Sequence, residues 1–344
     1  MAGITVAVLT DVGGAHLGSY LAALAEIVEV EAVVVADPSG ASEAAAARKA
    51  LGAKLKSFEK DHARTLAEHQ PGMALVTLEA VQAPPVIRAA LEANCHVLAE
   101  KPSCVRAEDF EPLVRLADMK HRLLMLALAN RMRGTVQAAR KLIQTGQIGK
   151  VYGCEMHIIA DQTRLKSPSY HTSWFADRAR SGGGHLMWLG IHWIDLVMHI
   201  TDSKIIETAG FTGIVGGQPL KSEDSAAMAL RFDNGSFGTI TSGYYLDRGY
   251  HSHIKIWGSH GWLQLEPHGG EALQWYSTQE TPAQVQKHDG PAEEASYTPL
   301  VRACIRASLG LEPPPLTGAE SLLALQTVFA CYRAAESGRS QQVS

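Results

Sequence analysis

Short, unbroken apolar runs alternate with amphipathic stretches through the first third of the chain. Ile4 to Leu9 is apolar at nearly every position and rich in β-branched residues, as expected of a strand buried on both faces. The pattern then predicts a helix from Ser19 to Val28, a strand from Glu31 to Val35 and a helix from Ser42 to Leu51. Further along it predicts strands at Ala74 to Thr77, His96 to Ala99 and Leu123 to Leu128, with helices at Pro84 to Ala93 and Asp109 to His121. Strictly alternating strands and helices imply a parallel, doubly wound sheet.

After about residue 130 the texture changes. A helix from Gly134 to Gln144 precedes shorter strand-like segments at Val151 to Ile159, Ala226 to Phe232, Ser236 to Gly243, His253 to Trp257 and Trp262 to Glu266. Asn234-Gly235, between two of them, is a strong hairpin signal. A polar surface loop is expected from Gln279 to Ala295, and a closing helix from Gly318 to Ser337. The fold class is therefore α/β: a doubly wound parallel domain over 1–128, then an α+β domain over 129–344 with a mostly antiparallel sheet.

Composition narrows the function classes. At 344 residues, with 46% hydrophobic and 19% charged residues, the chain suits a two-domain globular protein. A formal charge of -4 and the absence of any basic run argue against nucleic acid as a partner. No apolar stretch reaches the ~18 residues of a membrane span, and the chain enters its first strand without a leader-like segment. The five cysteines form no CxxC pair and are expected to be reduced thiols, which points to a cytoplasmic location.

Candidate chemistry lies in the turns. Thr10-Asp11-Val12-Gly13-Gly14-Ala15-His16-Leu17-Gly18 links the first strand to the first helix, as in a dinucleotide-binding βαβ unit. Gly13 permits the tight turn, Gly18 is expected to allow close packing of helix on strand, and helix-start amides would hold a pyrophosphate. Asp37 follows the second strand 19 residues after Gly18, near the ~20 expected of the acid that binds the adenosine ribose. Its carboxylate would repel a 2′-phosphate, so NAD is expected over NADP. Glu100-Lys101-Pro102 closes the strand at His96 to Ala99, and Pro102 biases Lys101 toward extended backbone. The lysine is thereby aimed at the carboxyl edge of the sheet, near the nicotinamide.

A second candidate is Gly182-Gly183-Gly184-His185-Leu186-Met187-Trp188-Leu189-Gly190-Ile191-His192. The three glycines are expected to leave room for something bulky, such as a cofactor ring or substrate. On a regular helix His185, Trp188, His192 and His199 form one stripe. His185 and His192 would lie ~10 Å apart along its axis, too far to share an ion, so no metal is expected. A neutral histidine suits a general base near neutral pH, and a lysine ammonium can stabilise a developing alkoxide.

Taken together, these motifs resemble the glucose–fructose oxidoreductase/inositol dehydrogenase/MocA (Gfo/Idh/MocA) family over nearly the whole chain. The glycine loop, Glu100-Lys101-Pro102, Asn130-Arg131, Gly182-Gly183-Gly184 with His192, Asn234-Gly235 and Ser337-Gly338-Arg339 carry the likeness. The resemblance implies a Rossmann domain, a second domain whose open sheet makes homodimers or homotetramers, and NAD(P)-dependent oxidation of carbohydrates or polyols. Lys101 and His192 match the family's catalytic lysine and histidine. Cofactor contacts are implied at Gly13, Gly14, Ala15, His16, Leu17, Asp37, Thr77, Glu79, Glu100 and Lys101. Substrate contacts are implied at Lys101, Asn130, Arg131, Tyr170, His185, Trp188 and His192, with Asp161, Trp174 and Arg178 as further polar or ring candidates.

Three positions depart from the family pattern: Trp188 where an aspartate is common, Thr77-Leu78-Glu79-Ala80-Val81-Gln82 in place of Thr-Pro-Asn-x-x-His, and Ala15 for the middle glycine. Trp188 could stack on a sugar ring. The expected activity is NAD-dependent oxidation of a secondary hydroxyl in a sugar, inositol or polyol. Alternatives are redox-neutral glycoside cleavage by oxidation and elimination, and a non-catalytic ligand-sensing regulator.

Overall fold

The structure, a computed structural model, describes residues 3–268, 272–290 and 296–344, with only the backbone of 41–44. The chain divides into two compact units. The first holds Met1–Ala129, Ala179–Gly182 and Ala295–Leu322, and the second Asn130–Arg178, Gly183–Glu294 and Leu323–Ser344. Two later segments thus return to the first unit, although the sequence division at 128/129 assigns them to the second.

In the first unit β1 (Ile4–Thr10), α1 (Leu17–Glu26), β2 (Val30–Ala36), α2 (Ala41–Leu51), β3 (Leu55–Glu59) and α3 (His62–His69) form one half. β4 (Met73–Thr77), α4 (Ala83–Glu92), β5 (His96–Ala99), α5 (Ala107–Met119) and β6 (Leu124–Leu126) form the other. The six parallel strands run in the order β3-β2-β1-β4-β5-β6. The order reverses between β1 and β4, and the carboxyl edge at such a switch point is where this architecture binds ligands. Val6, Ala7, Val8 and Leu9 of β1 are wholly buried, which explains why the run is apolar without alternation. Burying such strands on both faces is worth ~1.5–3 kcal/mol for each large aliphatic side chain.

The returning segments are held by specific contacts. Arg180 donates to the Glu79 carboxylate, with Nε 2.9 Å from Oε2, and Val81 N donates to the Arg180 carbonyl at 3.2 Å. Ser321 Oγ accepts from Leu126 N at 3.1 Å.

The second unit carries α6 (Gly134–Gln144), β7 (Val151–Asp161), the short α7 (Pro168–Thr172), a π-helical turn at Leu186–Gly190, and α9 (Ile191–Thr201), while all but the first residue of the short α8 (Arg178–Ser181) falls in the first unit. Strands β8 (Ile205–Gly213), β9 (Ser225–Phe232), β10 (Phe237–Leu246), β11 (Tyr250–Gly258), β12 (Gly261–Leu265), β13 (Leu273–Ser277) and β14 (Val285–Lys287) follow. After them come α10 (Thr298–Ser308), which belongs to the first unit, α11 (Gly318–Ser337), which begins in the first unit and continues into the second, and β15 (Gln341–Gln342) of the second. The nine strands order as β14-β13-β12-β11-β7-β10-β9-β8-β15, antiparallel except for β7 beside β10.

Strand alternation sorts the two faces of this sheet. Met156, Ile158, Ile240, Ile254 and Ile256 are buried on one. Glu155, His157, Thr239 and His253, at the intervening positions, are exposed or half-buried on the other. The hairpin at Asn234-Gly235 joins β9 to β10, with Gly235 at φ +84° and Asn234 Oδ1 accepting from Ser236 N at 2.8 Å. The segment expected as loop from Gln279 contains β14, and its last residues, 291–295, lie outside the described residues. Among the described residues all five cysteines are buried free thiols, and no helix is long and apolar enough to cross a membrane.

Candidate active site

In the first unit, the residues expected at the cofactor lie on loops leaving β1, β2, β4 and β5, four neighbouring strands, all at the carboxyl edge. Gly13 turns the chain at φ +84°, and His16 takes a left-handed conformation as the residue preceding α1. Gly14 makes the close approach: a Cβ there would meet the Thr10 hydroxyl and lie 2.7 Å from the Thr77 carbonyl oxygen. Thr77 Oγ1 donates to the Ala15 carbonyl at 2.7 Å and ties the end of β4 to the loop. Gly18 corrects the sequence reading, because nothing lies within 4 Å of a Cβ at that position. The steric demand falls on Gly14 instead.

Asp37 is fully buried at the end of β2. Its Oδ1 accepts from Ser39 N at 2.9 Å and from the Ser39 hydroxyl, while Oδ2 has no partner among the described residues. A buried carboxylate oxygen left without a donor is costly, so Oδ2 is open to one further hydrogen-bond donor. Glu79, just past β4, is taken up by Arg180.

Glu100 and Lys101, which follow β5, are 2% and 3% exposed, and the Lys101–Pro102 peptide is cis. The Glu100 carboxylate accepts from the Tyr20 hydroxyl of α1 and lies 3.3 Å from His16 Nδ1. Tyr297 packs against both partners, with ring centres 4.8 Å from Tyr20 and 5.1 Å from His16. Burial, then the Glu100 charge, raises the Tyr20 and Tyr297 hydroxyls far above their usual range, so both remain protonated donors. This knot links the glycine loop to the peptide that carries Lys101. Tyr20 and Tyr297 escaped the sequence reading because nothing local marks them; each is one aromatic in an ordinary helical context.

In the second unit Gly183 and Gly184 of the glycine triplet serve packing. A Cβ on Gly183 would overlap the Tyr332 ring, and one on Gly184 would overlap the Glu223 backbone. The space expected for a cofactor ring or substrate is filled by these two residues. Glu223 accepts from Gly184 N at 2.7 Å, Leu186 N at 3.0 Å and Tyr332 Oη at 2.8 Å. Burial nonetheless pushes its carboxyl up to about 7.

The histidine stripe is not one face. The π-helical turn at Leu186–Gly190 breaks the 3.6-residue period, as such turns do, often at functional sites. His185 is fully buried, its Nδ1 2.6 Å from Ser242 Oγ and its ring edge-on to Tyr244 at 4.3 Å. Burial, helped by the Arg164 charge, lowers it to about 3, so it stays neutral. Trp188, 6% exposed, packs on Trp174 and Phe175 with ring centres 4.9 and 4.6 Å away. His199 lies 3.4 Å from Arg140 Nη1 through its Nδ1. His192 remains half-buried on the first turn of α9.

Asn130 is half-buried in the turn Ala129–Met132. Arg131, 3% exposed, forks onto both Asp195 oxygens, with Nη2 2.6 Å from Oδ1 and Nε 2.9 Å from Oδ2. Asp195 is three residues past His192, so this buried pair anchors the helix that presents the histidine. Tyr170 packs with Tyr244, Leu165 and Ala176. Asp161 accepts from Thr163 N at 2.6 Å, which lowers its carboxyl. Trp174 is buried beside Phe175, and Arg178 pairs with Glu336 at 2.6 Å.

Comparison with known proteins places these features in a family. Residues 9–128 match the model described as oxidoreductase family, NAD-binding Rossmann fold. Residues 136–264 match the GFO/IDH/MocA C-terminal domain. Between them the two models span well over half of the chain, and the chain belongs to the Gfo/Idh/MocA oxidoreductase family. It is an oxidoreductase with an NAD-binding domain.

An uncharacterized oxidoreductase of Schizosaccharomyces pombe is 31% identical over 46% of this chain and 43% of its own length, so the match spans less than half of that relative. Myo-inositol 2-dehydrogenase of Thermotoga maritima is 21% identical over 74% of this chain and 75% of its own. D-xylose 1-dehydrogenase [NADP(+)] of Haloarcula marismortui is 24% identical over 70% of this chain and 66% of its own. Among solved structures, GenD2 from gentamicin A biosynthesis in complex with NAD superposes with a TM-score of 0.83 at 20% identity, covering 100% of this chain and 97% of that one. At that identity the likeness shows the fold.

Proposed function

We propose that this chain is an NAD-dependent dehydrogenase that oxidises a secondary hydroxyl of a sugar, inositol or related polyol. The observation that carries the reading is Asp37: a buried carboxylate at the end of β2 with one oxygen lacking a partner among the described residues. It suits the two ribose hydroxyls of NAD and disfavours the 2′-phosphate of NADP, even though a relative is named for NADP. Gly14, Ala15 and the start of α1 suit the pyrophosphate.

Bound NAD would supply the hydride acceptor. On this reading Lys101 holds the substrate hydroxyl and stabilises its developing negative charge, and His192 takes its proton. Arg131 and Asp195 act through the placement of α9, and Glu100, Tyr20 and His16 through the placement of Lys101. The myo-inositol and xylose activities in the names of relatives favour polyols and sugars as the substrate class. The exposed Phe211 and Phe237 on the open sheet face favour assembly as a homodimer or homotetramer.

The test is NADH formation by purified protein supplied with NAD and a panel of inositols, hexoses, anhydrosugars and glycosides. Net NADH from one class establishes the dehydrogenase reading. Consumption of a glycoside without net NADH overturns it in favour of redox-neutral cleavage. Silence across the panel with NAD bound favours a sensing role.

A further inference from the structure

The open face of the second sheet holds an arrangement with no part in the reaction above. Glu155 and His157 are two apart on β7, so they share a face, and His253 of β11 stands directly opposite His157 across the antiparallel pair. All three are half-buried. Glu155 Oε1 lies 3.6 Å from His157 Nδ1 and 3.4 Å from His253 Nε2, and all three donor atoms fall within 4.8 Å of one another. A tetrahedral ion with ~2.1 Å bonds separates its ligands by ~3.4 Å, so two of the three edges already have the right length.

The remaining adjustment is small. The two imidazoles stack with planes 18° apart and centres 5.1 Å apart. In-plane lone pairs on stacked rings do not converge, so each ring must turn about its Cβ–Cγ bond, a soft torsion. Lys255 sits opposite Glu155, but its ammonium lies over the Trp262 and Trp257 rings, 5.0 and 5.8 Å from their centres. Thr239 and Thr241 on β10 flank the other side without charge.

We propose that Glu155, His157 and His253 form a site for one zinc-class divalent cation, with water in the fourth position. Two imidazoles and a carboxylate are borderline donors that suit Zn2+ over Mg2+ or Ca2+. This set is separate from His185 and His192, the pair too far apart along a helix to share an ion.

The experiment is competition between chelator-stripped protein and a chromophoric chelator for Zn2+, with the intensity of the Co2+ visible spectrum as a readout of tetrahedral geometry. One Zn2+ per chain is expected, with a strong Co2+ band. His157→Ala and His253→Ala should each weaken binding by at least the ~10–100-fold that loss of even an outer-shell partner costs. Glu155→Gln keeps the shape of the strand and should also weaken it, and His69→Gln, in the separate Glu59, Glu68 and His69 cluster, should not. No stoichiometric binding, a weak octahedral-type Co2+ spectrum, or binding unchanged in the His157→Ala, His253→Ala double variant would each overturn the site.

Discussion

Lys101 and Asp37 are the residues on which the functional reading can be broken one at a time. Lys101 is buried beside a carboxylate that is itself tied to Tyr20 and His16, so removing its ammonium leaves the loop's anchors intact. Lys101→Ala should therefore lower kcat by at least the ~10²-fold typical of a lost charge-stabilising donor, while NAD affinity changes little. Loss of NAD binding in that variant, measured by calorimetry, would show that the lysine serves the cofactor instead. Asp37→Ala removes the acceptor for the ribose and the repulsion toward a 2′-phosphate together. The ratio of kcat/KM for NAD to that for NADP should fall by about tenfold or more, each tenfold being ~1.4 kcal/mol. A natural preference for NADP would refute the argument from Asp37 outright.

Among the elements, those with a strong local signal were legible in the sequence. The buried runs of β1 and β4, the amphipathic α4 and α5, and the Asn234-Gly235 hairpin all stand close to where the pattern predicts them. β3 and α3 passed unnoticed because β3 is a five-residue edge strand with no fully buried side chain and α3 is a single short helix. The glycine triplet was found but misread, since what it packs against, Glu223 and Tyr332, comes from far along the chain. Two glycine substitutions separate the readings. Gly183→Ala forces a methyl into the Tyr332 ring, which is buried and held by Glu223, so overpacking should cost ~1–3 kcal/mol. Gly18→Ala meets open space inside α1 and should be neutral or stabilising by up to ~1 kcal/mol. Urea midpoints followed by circular dichroism would check both; a Gly183→Ala protein as stable as the natural one would mean that Tyr332 yields.

At the scale of the whole molecule, the second unit contains two buried groups whose titrations oppose each other. Glu223 sits near 7 in the folded state, above its unfolded value of 4.5. Between those values the folded state binds more protons than the unfolded one, so this group destabilises the fold as pH rises. His185 sits near 3, below its unfolded value of 6.5. There the unfolded state binds more protons, so this group destabilises the fold as pH falls. From about pH 4.5 to 6.5 the two slopes, each at most ~1.4 kcal/mol per pH unit, largely cancel.

Substituting either group should unmask the other. Glu223→Gln should leave a stability that climbs with pH across that window, and His185→Gln one that declines. All six tryptophans, from Trp174 to Trp275, belong to the second unit, so their fluorescence during urea unfolding reports on the unit in question. Parallel pH profiles for the natural protein and both variants would show that neither group changes its proton affinity on folding. Crossing profiles would show that the core beneath α9 is held neutral by balance, a carboxyl kept protonated and an imidazole kept unprotonated.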